Sequence, residues 1–182
     1  MATTTSYGTW YNHTKSNLSP EGDILDFING GDSDWRERVE TSGAFERMAS
    51  DYRDAVQAGL PDGVYLTGDE FIGPAYKDDQ DFDGYLDEDG DLDISTIIEG
   101  VDLAAIVERW DPDAEWTTAE VADRIGATTI QSASKTLVRW GITATSRQPG
   151  RAGQNLYSAE QIIAAMNGRP GQGARTDLKD QA

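Results

Sequence analysis

The stretch Glu115-Trp116-Thr117-Thr118-Ala119-Glu120-Val121-Ala122-Asp123-Arg124-Ile125-Gly126, with Thr129 to Gly141 after it, decides how this chain is read. Thr117 is placed to cap the amide of Glu120, and the Glu120 carboxylate to reach back to the Thr117 amide, a reciprocal arrangement that opens helices. Trp116 and Val121 occupy the two positions of a hydrophobic staple across that start. Val121 and Ile125 then face inwards, and Gly126 permits a sharp turn. A second helix is expected from Thr129 or Ile130 to Trp140, with Ala133, Leu137 and either Val138 or Trp140 turned inwards. Its other face carries Gln131, Ser134, Lys135 and Arg139, side chains suited to base edges and phosphates.

Working towards the C-terminus, Gly141 closes this helix and Ile142-Thr143-Ala144-Thr145 has β propensity. Pro149-Gly150-Arg151-Ala152-Gly153 is a turn, and Gln154-Asn155-Leu156-Tyr157 can return as the paired strand. The product is a β-hairpin with Arg147 and Arg151 near its tip. Ser158-Ala159-Glu160-Gln161 repeats the capping pattern, with Tyr157 and Ile162 as its staple, and opens a last helix through Ala165. From Arg124 through Ala159 there are five basic residues and no acidic one.

This segment resembles the winged helix-turn-helix of the MerR and excisionase superfamily. The resemblance is carried by Thr118-Ala119-Glu120-Val121-Ala122 and Gly126, by Lys135-Thr136-Leu137-Val138-Arg139-Trp140-Gly141-Ile142, and by Gly153-Gln154-Asn155-Leu156-Tyr157-Ser158-Ala159-Glu160-Gln161-Ile162. It implies binding to double-stranded DNA, bending of it, or both, with Gln131, Ser134, Lys135, Arg139, Arg147 and Arg151 as the contacting residues. It covers about a third of the chain. MerR regulators begin with this domain and continue into a long dimerising helix. Here it comes late, which favours an accessory or regulatory protein of phage or mobile-element type over an effector-sensing activator. The whole chain is also similar to proteins of high-GC Gram-positive bacteria and their mobile elements.

Towards the N-terminus the charge changes sign. Residues 1–115 hold 7 Lys+Arg and 28 Asp+Glu, whereas residues 116–182 hold 8 and 5. Such an asymmetry implies two modules with different partners. Residues 1–20 show no helical period, although Tyr7, Trp10 and Tyr11 are candidates for the first core. Ile24, Leu25, Phe27 and Ile28 fit a short helix ended by Asn29-Gly30-Gly31. Phe45, Met48, Tyr52, Ala55 and Val56 form one stripe of a helix from about Gly43 to Ala58, stopped by Gly59-Leu60-Pro61. Val64-Tyr65-Leu66 and Phe71-Ile72 read as short strands. Ile94 to Trp110 reads as two short helices jointed at Gly100, and Asp111-Pro112 as a boundary. The expected fold class is mainly α with small β elements: an acidic α-rich domain over 1–113, a winged helix-turn-helix over 114–168, and a flexible tail over 169–182.

Composition narrows the chemistry. With no cysteine, disulfides and cysteine-ligated metal centres are excluded. His13 is the sole histidine, so a histidine-based metal cage or a Ser-His-Asp triad would have to rest on that one residue, and the protein reads as a non-enzyme. No apolar run approaches the ~20 residues of a membrane span, and Met-Ala-Thr-Thr-Thr lacks the regions of a secretory leader. The expectation is a cytoplasmic protein with no membrane partner, whose acidic domain suits a basic protein partner or mimics the charge of DNA.

One acidic stretch resembles half a calcium loop. Asp79-Gln80-Asp81-Phe82-Asp83-Gly84-Tyr85-Leu86-Asp87 places Asp79, Asp81, Asp83 and Asp87 at calcium-ligand spacing. The closing bidentate Glu is replaced by Gly90, and a solvated acidic loop is the simpler reading. No cofactor is expected, and calcium only weakly. Calorimetric titration is expected to give a Kd no tighter than about 10⁻⁴–10⁻³ M with little preference over magnesium. Micromolar, calcium-selective binding abolished by Asp81→Asn with Asp83→Asn would contradict this.

Overall fold

The computed structural model describes residues 7–10, 18–74, 82, 84–149 and 153–168. In chain order its elements are β1 (Tyr7–Trp10), α1 (Pro20–Ile28), α2 (Ser33–Ser42), α3 (Ala44–Gly59), β2 (Tyr65–Thr67), β3 (Glu70–Pro74), α4 (Ser95–Glu99), α5 (Leu103–Arg109), β4 (Glu115–Thr117), α6 (Thr118–Arg124), α7 (Ile130–Trp140), β5 (Ser146–Arg147), β6 (Asn155–Ser158) and α8 (Ala159–Asn167). The protein is mainly helical, with two small antiparallel sheets ordered β1-β3-β2 and β4-β6-β5. Among the described residues no helix is long and apolar enough to cross a membrane.

Two compact units result, and the division is not sequential. One comprises residues up to Gly30 and Glu46–Glu108; the other joins Gly31–Phe45 to the chain from Arg109 onward. The boundary expected at Asp111-Pro112 lies close to this second crossing, but residues 31–45, expected within an N-terminal domain of 1–113, group with the C-terminal segment.

In the first unit α3 supplies the central stripe, with Met48, Tyr52 and Val56 fully buried. Ala55, expected on that stripe, is exposed, because it lies one helical step of 100° short of Val56. Trp10 is buried and pairs in register with Phe71. Its indole lies over Gly73, donates to the Pro74 carbonyl at 2.9 Å and meets Phe82 edge-on at 5.0 Å. Over Tyr7–Trp10 a strand thus stands where an irregular lead-in was expected, and its antiparallel register with β3 sets Trp10 beside Gly73. Tyr52 donates its hydroxyl to Asp23 at 2.6 Å. Burial, reinforced by that bond, pushes the phenol pKa well above its ordinary range. Arg53 bridges Glu21 at 2.7 Å and Asp69 at 2.9 Å, tying α1 and the β2–β3 turn to α3.

The second unit owes its extra helix to a cap. Asp32 accepts the amides of Asp34 and Trp35, which starts α2. α2 packs on α8. Arg38 makes a two-pronged ion pair with Asp113 at 2.7 and 2.8 Å, and the Trp35 indole donates to Asp111 at 2.9 Å. The Asn167 amide, at the end of α8, donates to the Ser42 and Gly43 carbonyls. Gly43 ends α2 at φ +81°, and a Cβ there would overlap the Asn167 amide nitrogen.

Gly43→Ala is accordingly expected to destabilise this unit by ~1–2 kcal/mol from the left-handed backbone alone, plus the displacement of Asn167. In denaturant titrations Asn167→Ala should then cost less in the Gly43→Ala background than in the native one. Equal costs in both backgrounds would remove this contact from the account.

Candidate nucleic-acid interface

The local devices that shape this region are the ones its sequence advertises. Thr117 Oγ1 accepts the Glu120 amide at 3.3 Å, while the Glu120 carboxylate accepts the Thr117 amide at 2.7 Å and its hydroxyl at 2.8 Å. The backbone N–H bond is the main reason the Glu120 pKa lies below its ordinary value. α6 ends at Arg124 with Ile125 as its cap, Gly126 at φ +66° then reverses the chain, and the Ala127 amide closes the turn on the Ala122 carbonyl at 2.8 Å. α7 opens on a second reciprocal cap, in which Ser132 takes the place usual for Glu: Thr129 Oγ1 accepts the Ser132 amide at 3.1 Å and Ser132 Oγ accepts the Thr129 amide at 3.3 Å. Gly141, at φ +71°, ends it.

Trp116 holds α6 against the sheet. It is 2% exposed and stands in β4 opposite Tyr157 of β6. The Arg124 guanidinium lies 4.3 Å above its ring, and Trp110 meets it edge-on at 6.0 Å. Arg124 Nε also donates to the Arg109 carbonyl at 3.0 Å. Sequence reading missed β4 because the capping pattern starting at Thr117 masks a three-residue strand. The hairpin is displaced from its expected place as well. Ile142 is buried, Thr143 to Thr145 form no strand, and β5 pairs Ser146 with Leu156 and Arg147 with Asn155. Burying Ile142 draws the chain inward before it can pair.

α7 turns Ala133 and Leu137 fully inward, with Trp140 half-buried. Val138, offered as an alternative inward residue, is 78% exposed. It lies 100° beyond Leu137, whereas Trp140 returns towards the buried line. Gln131, Lys135 and Arg139 lie four apart and are exposed. Ser134 is half-buried and donates its hydroxyl to the Ile130 carbonyl at 3.1 Å. Arg147 is exposed on β5, with Nε donating to the Gly153 carbonyl at 2.8 Å. Arg151 lies outside the described residues, as do Asp79, Asp81 and Asp83. Asp87 turns its carboxylate onto the amides of Asp89 and Asp91, between the bridged Leu86 and Leu92. Among the described residues no three His, Cys, Asp or Glu side chains gather as a metal site.

The acids before α7 are engaged elsewhere. Asp111 holds Trp35, Asp113 holds Arg38, Glu120 caps α6, and Asp123 pairs with Arg109 at 2.8 Å. Glu115 accepts the Ser146 hydroxyl at 3.0 Å. Among the described residues Lys135 and Arg139 form no ion pair. Residues 31–45 and 109–168 together hold eight Lys+Arg and ten Asp+Glu, so the basic character of this region is local to α7 and the hairpin. No protein-family model matches the chain, and no match was found among curated proteins or solved structures.

The depressed pKa values of Glu120 and Asp113, the latter lowered by its bond to Arg38, give a signed expectation. The unfolded chain binds these protons more readily, so stability is full above the ordinary carboxylate range and is lost as pH falls through the lowered values. Glu120→Gln, which keeps an accepting oxygen but cannot titrate, should flatten the fall in unfolding midpoint below about pH 4. An unchanged pH profile would show that the cap carries no linked proton.

Proposed function

We propose that the C-terminal unit is a winged helix-turn-helix and that the protein binds double-stranded DNA through it, as an accessory or regulatory factor of phage or mobile-element type. In this reading α7 enters the major groove, and the β5–β6 hairpin is the wing that brings Arg147 and Arg151 to the phosphates. One observation carries it. The exposed face of α7 holds an amide and two cations with no carboxylate partner among the described residues, and the acids just before α7 are engaged in a cap, ion pairs and hydrogen bonds to an indole and a hydroxyl. The reading requires no cofactor.

A second reading, an interaction module or DNA mimic for a basic protein, draws on the other unit. There Leu25 and Phe27 are 43% and 49% exposed on α1, either side of Asp26, in a unit whose sequence carries 21 Asp+Glu against 4 Lys+Arg. A protein of that kind binds a polycation and leaves DNA alone.

Anisotropy titration of the full chain against random duplexes over a salt series separates the two. Affinity should fall steeply as salt rises. Lys135→Ala with Arg139→Ala should weaken binding at least about tenfold, each contact being worth ~1–3 kcal/mol, and should make the salt dependence shallower. Undiminished binding by the double variant at moderate salt would remove α7 from the interface.

A further inference from the structure

The outward surface of α7 consists of two rows of different chemistry. Gln131, Lys135 and Arg139 form one. Ile130, Ser134 and Val138 form the other, also at four-residue spacing, and therefore parallel to the first. Ile130 is 56% exposed and Val138 78%. Ser134 does not make this second row a donor row, because its hydroxyl is already given to the Ile130 carbonyl. Neither β-branched residue is there for the helix: Val and Ile are poorer helix formers than Ala or Lys, and exposing them to water forgoes the stabilisation that burial gives.

We infer that the Ile130–Val138 row reads thymine methyl groups, so that α7 selects sites carrying T·A pairs where these two side chains fall. The inference rests on the DNA-binding reading above and assigns its base preference. In the major groove thymine is the one base that offers an apolar group, its C5-methyl, and adenine offers the N6/N7 pair that an amide such as Gln131 matches. Lys135 and Arg139 supply the charge complementarity that brings an apolar row against a polyanion. Eight residues of helix place Ile130 and Val138 about 12 Å apart. Laid along the groove, that spans three to four base-pair steps of ~3.4 Å.

The test starts from duplexes enriched out of a random pool by the full-length protein. Each thymine in the enriched site is then replaced singly by deoxyuridine, which keeps base pairing and removes only the methyl. Loss of one buried methyl corresponds to about a fourfold drop in affinity, expected at one or two thymines. Val138→Ala should abolish the drop at one of them and Ile130→Ala at another, while both variants keep the salt dependence of the native protein. Both positions are exposed, so circular dichroism should show folded variants. Selective binding indifferent to every methyl, or methyl sensitivity that survives both substitutions, overturns the inference alone. If no duplex is enriched, the DNA-binding reading fails and the inference falls with it.

Discussion

Trp116 is the residue through which α6, and with it α7, is attached to the sheet. The ring is buried beneath a guanidinium and against a second tryptophan, and its backbone is the middle of a strand. Truncating a side chain so enclosed typically costs ~3–5 kcal/mol, a large part of the stability of any small domain. The next residue, Thr117, caps α6. Strand, core and helix start are therefore fixed within two residues, and the direction of α6 follows. The Gly126 turn then sets α7, whose inward line of Ala133 and Leu137 leaves the polar and apolar rows outside.

Charge acts here by placement rather than by sum. The chain is strongly acidic, with a net charge of −18, and the unit that contains α7 is not net basic once α2 is included. The carboxylates just before α7 are tied up: Asp111 to an indole, Asp113 and Asp123 to guanidinium groups, Glu120 to an amide and Glu115 to a hydroxyl, whereas Lys135 and Arg139 have no carboxylate partner among the described residues. Arg124, one of the five cations in the acid-free stretch, belongs to the core of the unit through its stacking on Trp116. A count along the sequence cannot separate a structural cation of that kind from one that faces solvent.

Local signals were legible and distant ones were not. The Thr117–Glu120 cap, the Gly126 and Gly141 turns, the extent of α7 and the Gly100 joint between α4 and α5 are encoded by neighbouring residues, and each could be read directly. The attachment of α2 was not legible. Its start signal is present at Asp32, with Trp35 and Val39 one turn apart, but the partners Asp111, Asp113 and Asn167 lie 75 or more residues away. β4 and the true start of the hairpin were missed for a related reason. Pairing of three or two residues depends on which strand arrives alongside, and local propensity carries little of that information. The outward turn of Val138 could have been read by taking Ala133 and Leu137 as the buried line and stepping 100° past it.

The central claim is that α7 and the hairpin together meet duplex DNA. Its most direct test is residue-resolved: amide chemical shifts of the full-length protein recorded while a duplex is added. The account predicts that shifts concentrate in residues 130–139 and 146–155, with residues 46–108 largely unmoved. Shifts confined to the acidic residues before Glu108, or absent throughout at low salt, would contradict it.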